Sequence, residues 1–215
     1  MRSSSTTRSS WRVAAALACA WVGLLVGCSA EEATVPSPLT VEDLGSGDWV
    51  GPFADQEGLD GRGRYHACSQ MGEIYYNSGH DLLDEQLAYF GDGETRVEVR
   101  AERYAPNDPN LAGRLASVDQ LDRCVVNDAT PRLGMESSTW VRRPDGVVVF
   151  DALTDRTERG ALDFEFRIAM TTTDEWFVLV EVSHPEGAEG PDAVDLLDRA
   201  VANVSALPAP ESDDA

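Results

Sequence analysis

The sequence predicts an α+β domain: a twisted antiparallel sheet, built as a meander of hairpins, with two main packed helices. Three observations predict it. Several runs alternate apolar and polar residues with a period of two, consecutive runs are joined by short turn-rich connections, and two other runs repeat apolar residues every three to four positions.

The strands are read first. Residues 95–104 alternate Val97, Val99 and Ala101 with Arg96, Glu98, Arg100 and Glu102, which predicts one face in a core and one in water. The turn Gly91-Asp92-Gly93-Glu94 joins that run to a preceding one ending at Phe90. Pro144-Asp145-Gly146 separates residues 138–143 from 147–150 as a second hairpin. Leu162, Phe164, Phe166, Ile168 and Met170 alternate with Asp163, Glu165 and Arg167. A short connection at 172–175 makes the apolar run 176–184 the hairpin partner of that strand. Local connections of this kind favour antiparallel pairing, since parallel strands need long crossovers.

Two segments have helical period. With Asp108 as N-cap and Pro109 at the first helical position, Leu111, Leu115, Val118, Leu121 or Asp122, and Val125 predict a helix whose last turn holds Cys124. A second helix opens after Gly190-Pro191, carries Val194, Leu197, Val201 and Val204 on one face, and stops at Leu207-Pro208. Both stripes are read as core-facing. Residues 65–84 fit either period.

The N-terminus reads as an address. Residues 1–12 are polar and carry Arg2, Arg8 and Arg12, and residues 13–27 carry no charge. At about 1.5 Å per residue the apolar run is short for a hydrocarbon core of about 30 Å, and its flanks are those of a secretory signal. Leu25-Val26-Gly27-Cys28 resembles the bacterial lipobox. That resemblance implies cleavage before Cys28, lipidation of its thiol, and a protein anchored by acyl chains to the extracytoplasmic face of a cell membrane. The expected organisation is a signal peptide at 1–27, a lipidated cysteine and flexible spacer at 28–38, one domain at 39–207 and a polar tail at 208–215. Cys19 falls in the leader and Cys28 is assigned to lipid. Cys68 and Cys124 remain, and in an oxidising compartment such a pair reads as a disulfide. Closing that loop would stabilise the fold by roughly 4 kcal/mol in the chain-entropy view.

Charge narrows the partners. The 215-residue chain has 17 Lys plus Arg, all arginine, against 38 Asp plus Glu, a net charge of −21. The leader holds three of the arginines and none of the acids, so the exported part is more acidic still. Nucleic acid is excluded as a partner, because phosphate contacts require clustered cations. An anionic headgroup layer would repel the domain, which the spacer would hold clear of it. The hydrophobic content of 42% supplies enough apolar side chains for a core.

The order of features then resembles a known group. After the leader, lipobox and spacer come Leu39-Thr40-Val41-Glu42-Asp43-Leu44-Gly45, Trp49, Cys68, a strand ending in Arg103-Tyr104-Ala105, a helix carrying Cys124, further hairpins and a terminal helix. This pattern resembles actinobacterial lipoproteins related to the extracellular sensor domain of mycobacterial serine/threonine kinases. The resemblance implies a twisted antiparallel sheet with packed helices and an open cleft for an unknown ligand. Those sensor domains commonly carry two disulfides, whereas the mature chain here has cysteines for one.

Catalytic chemistry is not expected. His66, His80 and His184 are the only histidines, and none pairs at zinc-helix spacing. His80-Asp81 could supply half of a hydrolytic triad, but no Gly-x-Ser-x-Gly elbow places a serine. The acid clusters at 55–57, 81–85 and 92–94 lack calcium-loop spacing and read as solvated turns. Arg62 with Arg64, and Arg142 with Arg143, read as surface arginines balancing nearby acids. No nucleotide-binding fingerprint is present, no cofactor or metal is implied, and no ligand-binding residue is assigned. The expected role is an extracytoplasmic ligand-binding or sensor-like module for a small molecule or lipid. Its cleft would lie between sheet and helices and be lined by residues such as Trp140, Phe150, Phe166 and Trp176. The alternatives are an envelope protein-protein interaction module and, third, a hydrolase using His80 and Asp81.

Overall fold

The computed structural model describes residues 35–54, 74, 82–125, 135–154 and 163–208. Among them, β1 (Val50–Phe53), β2 (Asp84–Asp92), β3 (Thr95–Arg103), β4 (Met135–Arg142), β5 (Val148–Thr154), β6 (Phe164–Thr172) and β7 (Trp176–Pro185) form one sheet. Its order is β1-β2-β3-β7-β6-β5-β4, and every neighbouring pair is antiparallel. The antiparallel α+β class is as expected. The meander is not single: within β1–β3 and within β4–β7 each strand pairs with the next in sequence, and the two runs are joined where β3 pairs with β7.

The turns follow their residues. Asp92 pairs with Thr95 across a two-residue turn, and Gly93 takes its first position at φ +58°, where a side chain would be strained. Between β4 and β5, Gly146 sits at φ +89° and its N–H donates to Arg143 O, while the Val147 N–H donates to Asp145 Oδ1. Between β6 and β7, the Trp176 N–H donates to Thr173 Oγ1 at 3.0 Å.

β7 is apolar on both sides because it lies at the middle of the sheet, between β3 and β6. Its Trp176, Val178, Val180 and Val182 belong to one buried cluster with Val97, Val99 and Ala101 of β3 and with Ala193, Leu196, Leu197, Ala200 and Val204 of α2 (Ala193–Ser205). Its Phe177 and Leu179 belong to a second cluster with Phe150, Ile168 and Met170, with Leu111 and Val118 of α1 (Pro109–Val118), and with Leu121 and Cys124. The first face also takes Leu39, just ahead of a 3-10 turn at Val41–Leu44, and Leu44, the last residue of that turn. The Thr40 N–H donates to Asp43 Oδ2 at 2.8 Å, closing that turn. α2 then holds the segment: Arg199 donates to Asp43 O and Asn203 to Pro38 O, at 2.9 and 2.8 Å.

Two expectations need correction. The polar face of β3 is not in water: Glu98, Arg100 and Glu102 are all buried, because the strand is internal and α1 lies over the far end of that face. α1 also ends at Val118 instead of running through Cys124. The Gln120 N–H turns back to Ser117 O, and Leu121–Cys124 forms a separate 3-10 turn. The Asp108 cap is as read, its Oδ1 accepting from the Asn110 N–H at 2.7 Å.

Candidate functional site

Antiparallel register builds a polar floor from residues of four strands. Thr139, Asp151, Arg167 and Val182 form one cross-strand row, and Ser137, Leu153, Glu165 and His184 form the next. Both rows lie on the face that α2 covers over β7 and β6. Towards β5 and β4 the side chains turn polar, leaving a groove of about 500 Å³ bounded on one side by Gly190, Pro191 and Asp192 ahead of α2.

Its charges are arranged, not scattered. Arg167 Nε donates to Asp151 Oδ1 at 2.7 Å, and its Nη1 lies 3.5 Å from Asp192 Oδ2. Those contacts, led by the Asp151 hydrogen bond, hold the Arg167 guanidinium above its ordinary pKa, so it is a fixed cation. Asp192 has a second task as the α2 N-cap, accepting from the Val194 and Asp195 N–H groups at 2.8 and 3.1 Å. The Gly187 N–H donates to Glu165 Oε1 at 3.3 Å, while Oε2 lies 4.0 Å from His184 Nε2. His184 is set against Gly190, where an added Cβ would come within 2.8 Å of its Cδ2, so only glycine allows the chain this approach.

A second group of charges is closed to solvent. On the α1 side, Glu102 accepts from Arg114 and from the Tyr104 hydroxyl, and Arg114 Nη1 donates to Ile74 O at 2.7 Å. Arg114 also stacks over Phe177, 5.3 Å from its ring centroid. Every one of these side chains is buried, and the cluster joins α1, β3 and Ile74; its arrangement is that of a brace, not of a binding surface.

The expected cleft lining is dispersed. None of the four aromatic residues anticipated there presents its ring to the groove: Phe166 borders it, but stands in the cross-strand row of Ser138 and Ala152, on the opposite face of the sheet. Phe150 and Trp176 are buried in the two opposite clusters, and Trp140 donates from Nε1 to Asp122 Oδ1 at 2.9 Å. An aromatic strand residue signals burial, and alternation on a two-sided sheet sends such residues to both faces. Arg142 and Arg143 are paired separately, with Asp119 and with Asp145, as surface arginines balanced by acids. Cys124 is wholly buried and disulfide-bonded, and Ser138 Oγ donates to its carbonyl at 2.6 Å. Cys28, Cys68, His66, His80, Asp81 and the Arg62 and Arg64 pair lie outside the described residues. Among the described residues no three metal-ligating side chains converge, and no helix is long and apolar enough to cross a membrane.

Asp151, Arg167 and Asp192 escaped the sequence reading. The alternation placed Glu165 and Arg167 opposite the apolar face of their strand, but which strands flank them, and where the next helix begins, depend on register and packing. No family model matches the chain, and no curated protein matches it in sequence.

Proposed function

We propose that the protein is a lipid-anchored lipoprotein of the cell envelope whose domain is an extracytoplasmic ligand-binding or sensor-like module, with the groove ahead of α2 as its binding site. The observation that carries this is the groove itself: about 500 Å³, open, with Leu153 on a floor of converging polar groups that hold one another in place. A concave site of this size with few, fixed polar groups suits a small organic molecule. The lipobox-like Leu25-Val26-Gly27-Cys28 supports the anchor, and a Cys68–Cys124 disulfide would fix the α1 side of the fold. In this reading α1 and α2 are the packed helices of a sheet related to the kinase sensor domains, and the protein is not an enzyme.

The Thr139→Trp variant tests the binding site by filling the groove from the β4 side. A thermal-shift screen of the full-length protein against small metabolites should give hits that the variant loses. No hits, or hits shared equally by both proteins, would contradict the assignment. Fatty-acid labelling tests the anchor: the native sequence should be marked and Cys28→Ala should not.

A second reading, an envelope protein-protein interaction module, is favoured by the sheet edges. β1 and β4 are outermost among the described strands, and Val50 and Val141 on them are 53% and 55% exposed.

A further inference from the structure

The chemistry of the groove selects among ligands. Two of its acceptor atoms are held facing one another by separate anchors. The Gly187 N–H holds Glu165 Oε1, which presents Oε2 towards β7. His184 Nδ1 lies 3.1 Å from Pro185 O, and because a carbonyl can only accept, the ring proton of the neutral imidazole belongs on Nδ1. The lone pair is then on Nε2, 4.0 Å from Glu165 Oε2. Two acceptors at that separation cannot bond to each other. A nitrogen about 2.8 Å from both would see them roughly 90° apart, close to the spread of two N–H bonds on an ammonium group.

The surrounding charge has the same sign preference. Asp151, Glu165 and Asp192 bring three carboxylates to the groove against one guanidinium, and Arg167 is already engaged with Asp151 and Asp192. An incoming anion would have to displace those partners. An incoming cation meets the half-exposed Glu165 carboxylate, and Leu153 offers apolar surface for a short carbon chain. Resting on the assignment of the groove as a ligand site, we propose that it binds a small organic amine, seating its ammonium group between Glu165 Oε2 and His184 Nε2.

Three four-carbon probes that differ only in their end groups test this: putrescine, 1,4-butanediol and succinate, titrated calorimetrically into the full-length protein at matched ionic strength. Putrescine should bind with one site per chain, and neither the diol nor the dianion should compete with it. Glu165→Gln keeps an acceptor for Gly187 and removes the charge, and it should weaken putrescine by about tenfold or more. Asp198→Asn removes the same charge from the exposed face of α2 and should leave affinity unchanged, which separates the site from general attraction to an acidic protein. Equal weakening in both variants would overturn the proposal, as would the absence of putrescine binding to the native sequence. Binding of succinate or butanediol as tight as that of putrescine would overturn the amine preference while leaving a small-molecule site in place.

Discussion

Glu102 on β3 and Arg114 on α1 are locked together inside the protein: Arg114 Nη2 donates to the two carboxylate oxygens at 2.5 and 2.6 Å, and Nε donates to Oε2 at 3.0 Å. Glu102 has no exposed surface and Arg114 is 3% exposed. Burying two opposite charges is costly, and a two-pronged geometry with every remaining lone pair and proton used is what offsets the cost. Here Arg100, whose Nη1 lies 3.5 Å from Glu102 Oε1, joins Tyr104, Ile74 O and the Phe177 ring around the pair. Removing one member is therefore worse than removing both. Arg114→Met should lose about 3–5 kcal/mol in urea unfolding, and adding Glu102→Leu to it should recover part of that loss. Additive effects of the two substitutions would show that the pair is not coupled.

Tyr104 reports on the same cluster through pH. Burial, and then its hydrogen bond to Glu102, push its phenol up to about 12 from 10.0. The unfolded chain releases this proton first, so stability from Tyr104 is complete below pH 10 and falls as pH rises towards 12. The loss amounts to about 3 kcal/mol across that window. Phenolate absorbance should show one tyrosine titrating late, absent in Tyr104→Phe, and the variant should lose this part of the alkaline slope in unfolding free energy. A native titration curve identical to that of Tyr104→Phe, apart from amplitude, would contradict it.

Asp192 closes the α2 N-terminus and contacts Arg167 on the groove floor. Asp192→Ala should cost about 1 kcal/mol in unfolding free energy, the usual value of a lost cap. Asp192→Ser should restore most of it, since a hydroxyl can accept from the same N–H groups. The contact to Arg167 is half-exposed and adds little. A loss several times larger in both variants would mean that Arg167, not the cap, governs stability there.

Much of the sheet is legible in the sequence because its rules are local. The glycine-bearing turns at 91–94 and 144–146 mark two hairpins, and the alternation at 162–170 separates Ile168 and Met170 from Glu165 and Arg167. Glu102 shows where local rules stop. Its position in the alternation of β3 reads as solvent-facing, and only the arrival of Arg114 over that face makes a fully buried carboxylate tenable. The end of α1 at Val118 is equally non-local: Leu121 and Cys124 keep the helical apolar rhythm although the backbone has left the α-helix. In the groove, Glu165 and His184 become neighbours through the β6–β7 register, and Asp192 joins them only because α2 begins beside that row.

A groove that holds a small molecule in the envelope should keep it through purification. The most direct measurement is mass spectrometry of compounds released from full-length protein purified from its native membrane, compared with Thr139→Trp prepared in the same way. A compound retained in near-stoichiometric amount by the native sequence and lost from the variant is the predicted result. Identical compound profiles from the two proteins would contradict the claim.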